Sequence, residues 1–288
     1  MALHYTYDTL FPSPGFRLHA FRCEIPENWV NFHTHDFAEL VVICQGRAVH
    51  ALEDRKYPIG TGDVFVLPPG TPHGYREIEN LELYNVNYDP SLFLEKDSDL
   101  QDLPGYHALF HLEPSLRHHH GFGGKLRLAP QQLNEILDTL EVMEDESVGR
   151  APGYKTVLGA RFLLLVGFLS RIYEHQETEA SRELLNLSQV VTHIETHFAE
   201  PMTLDDLARL AHMSKRTLLR HFRRCYNATP VQYLLHHRLK RATHLLKASG
   251  ARITDVAMAT GFSDSNYFSR QFRRLYGMSP RAFRKSKT

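Results

Sequence analysis

The chain has 288 residues, 33 Lys+Arg against 33 Asp+Glu, and 42% hydrophobic side chains. That length allows two domains with a core each. No charged segment followed by an apolar run opens the chain, so no secretory signal is expected; the longest apolar run, around 162–169, is too short to span a bilayer. Cys23, Cys44 and Cys225 form no metal or redox spacing. So odd and sparse a set is expected as reduced thiols in the cytoplasm. The neutral total hides an asymmetry. From His197 to Thr288 there are 18 basic and 5 acidic residues, a net of +13; the remainder has 15 and 28, a net of −13. A strongly basic C-terminal domain is the footprint of a polyanion binder, and the acidic remainder should avoid DNA.

In chain order, residues 1 to about 110 carry short β-type runs: Leu40–Cys44, Ala48–Leu52, Val64–Leu67 and Leu81–Val86. Turn residues punctuate them at the interval of a barrel or sandwich. Within this segment His33-Thr-His35-x3-Glu39 precedes Gly46 by six residues, and Gly62-x5-Pro68-x-Gly70-x2-His73 follows. On a strand His33 and His35 face one side. Two readings stay open: His33, His35, Glu39 and His73 ligate a divalent metal, or they line a small-molecule pocket by hydrogen bonding, with Trp29 covering an apolar face. His118-His119-His120, beside Gly121 and Gly123-Gly124, is expected as a solvated loop.

From about 130 to 175 the period becomes helical. Leu133, Ile136, Leu137, Leu140 and Met143 follow helical spacing, and Val157 to Tyr173 is apolar on several faces. So apolar a helix needs more cover than one neighbour, which predicts a homodimer through residues 130–175. The division expected is a β-rich domain with its dimerising helices, 1–178, a polar linker, 179–190, and the basic domain, 191–288.

The last ninety residues contain one supersecondary unit twice, over 204–226 and 253–276. Each copy reads as a short helix, a tight turn and a longer basic helix, which is a helix-turn-helix. Ala208 matches Ala257 at an offset of 49 and Phe222 matches Phe272 at 50, so the second turn is one residue longer. Asn227 and Gly277, each followed by a proline three residues on, are the residue types that best tolerate a left-handed C-cap. A plain helical bundle leaves these aligned caps unexplained. A helix from Val231 to about Lys247 joins the copies. Leu218, Phe222, Phe268 and Phe272 are expected in the core.

Residue type assigns roles on the two basic helices. Ser214 is a good N-cap, and Arg216 and Arg220, four apart, share a face. They suit guanine, and Asn266, aligned with Arg216, suits adenine; Asp264, Ser265 and Arg270 stand beside it, Asp264 able to accept from cytosine. Arg223, Arg224, Arg273 and Arg274 come later and read as phosphate contacts.

The run Gly261-Phe-Ser-Asp-Ser-Asn-Tyr-Phe-Ser-Arg-Gln-Phe-Arg-Arg-Leu-Tyr-Gly277-Met-Ser-Pro280 closely resembles the signature of AraC/XylS-type transcription regulators. The two N-terminal motifs resemble those of cupin barrels, departing at Glu77 where the second motif ends in Asn. The stretch from His33 with Gly62-Asp-Val-Phe and His73 is most similar to the L-rhamnose-responsive members. The resemblance implies an α+β two-domain chain: an N-terminal cupin-like β-barrel with following helices, and a C-terminal all-α domain with two helix-turn-helix units. It implies a non-enzymatic cytoplasmic activator, dimeric, with no membrane partner. Its partners would be double-stranded DNA, a small sugar effector such as L-rhamnose, and the RNA polymerase sigma factor, the last through Asp255 and Asp264. No cofactor is required beyond the candidate metal. The alternatives are a metal-dependent cupin enzyme fused to a DNA-binding domain, and a constitutive DNA-binding protein without effector.

Overall fold

The computed structural model describes residues 3–11, 15–29, 32–53, 55–91, 99–120 (backbone alone for 118–120), 125–248 and 250–286. It divides into two compact units, 1–185 and 186–288.

The first unit is built on one sheet. Its strands are β1 (Leu3–Tyr5), β2 (Leu18–Ile25), β3 (His33–His35), β4 (Ala38–Leu52), β5 (Lys56–Gly60), β6 (Asp63–Leu67), β7 (His73–Tyr88) and β8 (Leu126–Arg127). The runs expected as separate strands at 40–44 and 48–52 form one strand, β4. Register shifts between Ile43 and Val49 bend it without breaking it. The bend requires glycine at position 46: φ is +81°, and a Cβ there would stand 2.1 Å from the Asn80 carbonyl oxygen. Because β4 and β7 are long, paired throughout and bent together, they belong to two half-sheets. β2 and β6 flank one half, and β3 and β5 the other. Val41, Ile43, Ala48, Leu52, Phe65, Tyr75, Leu81 and Leu83 from both halves share one core, so the sheet folds on itself as the expected barrel. It does not end near residue 110, since β8 adds to β6 from beyond the following helices. Asp63, fully buried, clamps that edge to Lys125 at 2.5 Å and Arg127 at 2.6 Å.

A short helix α1 (Tyr7–Leu10) precedes β2. After the sheet come α2 (Pro104–His107), a π-helical turn (Ala108–Leu112) and α3 (Glu113–His120). The expected histidine loop at 118–120 is therefore the last turn of a helix. Then α4 (Pro130–Gly149) covers the edge of β2: Ser147 Oγ accepts from the Ala20 amide and Glu144 Oε1 from the Arg22 amide, so two of the outward N–H groups of that edge are satisfied. The helix α5 (Tyr154–Glu174) buries Leu158, Phe162, Leu165, Val166, Leu169, Ile172 and Tyr173. By length and composition it could cross a bilayer, with mean hydropathy 1.5 over its most apolar window, contrary to the shorter run expected. Gly105 of α2 approaches it so closely that a Cβ would meet the Ser170 carbonyl oxygen at 1.9 Å. Leu164 of α5 nevertheless stays 66% exposed.

The stretch expected as linker lies within α6 (Glu179–Thr196). The second unit continues with α7 (Leu204–Leu210), α8 (Lys215–Tyr226), α9 (Pro230–Ala248), α10 (Ile253–Ala259), α11 (Ser265–Tyr276) and α12 (Pro280–Lys285). The repeat is now visible atom by atom. The amides of Met213 and Phe262 each bond back to the carbonyls of Ala208 and Ala257, both at 3.0 Å. The left-handed residue each turn needs is His212 in the first copy, φ 50°, and Gly261 in the second, φ 81°. Ser263 is the extra residue before the second N-cap. Asn227 and Gly277 end the basic helices in left-handed conformations, φ 48° and 74°, as expected. Phe222, Phe268 and Phe272 are fully buried, and Leu218 with them.

Candidate nucleic-acid interface and barrel site

The basic helices α8 and α11 each turn an apolar face to the core and an arginine face to solvent. Arg216, Arg220, Arg223 and Arg224 on α8, and Asn266, Arg270, Arg273 and Arg274 on α11, are exposed; Ser265 is half-buried. Of the side chains assigned from sequence to base and phosphate contact, all but Ser265 are therefore open to solvent. Ser214 caps α8 by accepting from the Thr217 amide at 3.1 Å. Asp264 caps α11, its Oδ1 accepting from the Asn266 amide at 2.8 Å. One oxygen of Asp264 is thus committed to the cap, a second role for a residue also assigned to cytosine. Lys215, not singled out from sequence, pairs with Asp205 at 2.5 Å and ties α8 to α7.

Inside the barrel, alternation decides which side chains turn inward. Glu39 is in phase with the core residues Val41 and Ile43, His50 with Ala48 and Leu52, His73 with Tyr75, and Asn85 and Asn87 with Leu81 and Leu83. The register then sets strands side by side: His33 opposite His73, Glu39 opposite Asn87, and His50 opposite Tyr75. His35, Glu39 and His73 converge, all buried, with one ligand-type atom of each within 4.8 Å of the others. His35 Nε2 lies 3.8 Å and His73 Nε2 3.4 Å from Glu39 Oε2, longer than ordinary hydrogen bonds. His33 is less buried and sits against His73, ring centroids 4.2 Å apart. The structure does not gather Trp29 with them: it stands in the turn after β2, 36% exposed.

Burial lowers the pKa of His35, and it lowers that of His50 much further. Burial also opposes charge on Glu39, but His73 and the other neighbouring histidines outweigh it and hold its carboxyl below the usual range. His50, Tyr75, Asn85 and Asn87 were not singled out from sequence. Both ring nitrogens of His50, the Tyr75 hydroxyl and Oδ1 of both asparagines are buried without a hydrogen-bond partner among the described residues. Buried imidazole, phenol and carboxamide groups gathered in one interior are the donors and acceptors from which a polar ligand site is built. The signal was present as period-2 placement of polar residues in apolar strands, but it becomes informative only once the inward phase is known. The cysteines take no part: burial pushes the thiols of Cys23 and Cys225 up to about 12 and that of Cys44 up to about 11, and all three are free.

Residues 23–145 match the model of the AraC-like ligand binding domain, and residues 207–286 that of a helix-turn-helix domain. The chain is 31% identical to the HTH-type transcriptional activator RhaS of Klebsiella pneumoniae (strain 342), covering 98% of this chain and 97% of the relative. It is 33% identical to RhaS of Escherichia coli O139:H28, covering 96% and 95%. Among solved structures, the DNA-binding domain of the global transcriptional factor AdpA in complex with a target DNA is 35% identical over 35% of this chain and 91% of that one, with a TM-score of 0.34.

Proposed function

Because the chain belongs to the AraC family of helix-turn-helix transcription regulators, we propose that it is an activator of a sugar-catabolic operon, controlled by a small sugar such as L-rhamnose. DNA binding through the helix-turn-helix unit and a ligand-binding N-terminal domain come with membership; this is a family of regulators, not of enzymes. The observation that carries the finer reading is similarity to RhaS along nearly the whole length, through both units. Deoxyhexose as effector rests on the resemblance of the His33–His73 stretch to rhamnose-responsive members. It is supported by a barrel interior whose His50, Tyr75, Asn85 and Asn87 offer both donors and acceptors to a polyol.

In this reading the sugar lies in the barrel against these groups, beside His33, His35, Glu39 and His73, and Trp29 takes no part. It shifts the protein toward its DNA-competent state because it binds that state more tightly. The protein acts in the cytoplasm as a dimer. The partner copy covers the α5 face around Val157, Leu163 and Leu164, which is exposed in one chain. Arg216, Arg220, Asn266 and Arg270 read bases, and Arg223, Arg224, Arg273 and Arg274 hold phosphates. Asp255 and Asp264, both exposed, meet the sigma factor.

The test is fluorescence anisotropy on promoter fragments from the neighbouring operon, with L-rhamnose and its stereoisomers. The expected result is a several-fold rise in DNA affinity with one sugar, lost in a Tyr75→Phe, Asn87→Ala double variant. Equal affinity with and without every sugar, together with unchanged promoter output, would refute the sugar control and favour a constitutive DNA-binding protein.

A further inference from the structure

The two helix-turn-helix units are copies in sequence but not in what their turns touch. The left-handed residue of the first turn is His212, whose side chain is exposed. The second turn needs Gly261, because a Cβ there would stand 2.8 Å from both Cα and O of Ala199 and 2.9 Å from Arg238 Cζ. The second turn is therefore seated on the segment Phe198–Glu200, which lies between α6 and α7 and leads into the first unit.

One side chain holds that seat. Arg238, at the middle of α9, donates from Nε to the Phe198 carbonyl at 2.6 Å and from Nη2 to the Glu200 carbonyl at 2.8 Å. Its guanidinium carbon also lies 5.9 Å from the ring centroid of Phe262, which belongs to the core of the second unit. Burial lowers the Arg238 pKa, as expected of a guanidinium packed into the protein rather than held out in water like the arginines of α8 and α11. Along α9 the first unit packs early, Phe222 against Tyr233, and the second packs late, Leu239, Ala242 and Leu246 among Phe268 and Phe272. Arg238 stands between these two contacts and joins the lead-in of one unit to the turn of the other.

We propose that Arg238 is a positioning residue for DNA recognition: by clipping the Phe198–Glu200 segment beneath the second turn, it fixes α11 relative to α8 and so sets the number of base pairs between the two boxes that the protein reads. The proposal rests on both basic helices reading bases. One base pair moves a box by about 3.4 Å along the duplex and by about 35° around it. Two readers held rigidly engage both boxes at one spacing only, whereas loosely joined readers tolerate several. A planar guanidinium suits the task, since its fixed fork of donors reaches two carbonyls at once.

The test uses the full-length protein to select duplexes from a pool with a random central stretch, followed by sequencing and by affinity measurements on the selected DNA. The parent should return two boxes at one spacing, and adding or removing one base pair between them should cost it about 10-fold or more in affinity. R238M keeps an apolar stem and removes the fork. Arg238 is half-buried and Glu200 exposed, so water can reach the freed carbonyls and the fold should survive. R238M should return the same two box sequences at several spacings, with the cost of one base pair reduced to about 3-fold or less. Its affinity for a duplex with either box scrambled should stay that of the parent. A role in stability or in phosphate contact would instead weaken every duplex alike and leave the spacing sharp, and that result would overturn the proposal. If R238M lacks the parent's far-UV spectrum, R238K decides by the same measurements, because an ammonium keeps the charge but cannot span both carbonyls as the fork does. A parent protein that returns a single box would overturn the two-helix reading itself, and the spacing proposal with it.

Discussion

Replacing each of the two glycines that bracket α11 by alanine separates backbone strain from collision. Gly277 has φ +74° and nothing within 4 Å of the position a Cβ would take. Alanine there costs only the left-handed conformation, about 1–2 kcal/mol, less a few tenths recovered from the unfolded chain. Gly261 has nearly the same conformation, φ +81°, but a Cβ would stand 2.8 Å from both Cα and O of Ala199 and 2.9 Å from Arg238 Cζ. Two of these contacts are backbone, which cannot rotate away. The third is a guanidinium whose Nε donates to the Phe198 carbonyl at 2.6 Å and whose Nη2 donates to that of Glu200 at 2.8 Å, so moving it breaks the tie between α9 and the segment before α7. Overpacking of this kind adds about 1–3 kcal/mol. Amide exchange of α11 peptides, read by mass spectrometry under native conditions, reports both variants on one helix. A tenfold change corresponds to about 1.4 kcal/mol, so Gly261→Ala should exchange about 5- to 150-fold faster than Gly277→Ala. DNA affinity should fall more for Gly261→Ala, since it shifts the start of a recognition helix. Equal exchange in the two variants would refute the close approach of Ala199 to the second turn.

On the DNA side, Arg216→Ala and Asn266→Ala should each relax preference at one position of the operator by about 1–3 kcal/mol. Arg274→Ala should weaken all sequences alike and reduce the slope of log affinity against log salt by about 0.9; binding curves on a set of mutated operators decide between these roles. Stability should fall as pH drops from about 6.5 toward 4, because burial pushes His107 down to about 4. The unfolded chain takes up a proton that the folded one refuses, so this contribution is complete above the unfolded pKa and is lost as pH falls. The window is worth roughly 3 kcal/mol, and His107→Gln should flatten that part of a Tm–pH curve. Leu164→Glu, on the exposed face of α5, should turn the proposed dimer into a monomer in equilibrium sedimentation with Tm little changed; an unaltered dimer would place the interface elsewhere.

The second unit was legible in the sequence to a degree the first was not. Its turns, caps and offsets depend on residues a few positions apart: Ser214 with the amide of Thr217, Asn227 with the carbonyl of Arg223, Ala208 with Met213. Interactions so local are written in spacing, and a repeat writes them twice. The apolar period of α4 is equally local, and Leu133, Ile136, Leu140 and Met143 are buried as expected. The strands were legible as runs, but their joining into β4, the helix through residues 179–190 and the late strand β8 were not. Bends and pairings depend on register with distant partners. The barrel site lies at that level. Spacing named His33, His35, Glu39 and His73 together. The strand register brings three of them to one point, sets His33 against a neighbouring ring and leaves Trp29 in an exposed turn. It also adds His50, Tyr75, Asn85 and Asn87, each unremarkable inside an apolar run until the fold shows which way it turns. Sequence alone determined the elements and the polarity of the two halves, because those are local or additive. Which side chains meet inside the barrel was decided by tertiary structure, because a one-residue change of register would send every one of them to the other face.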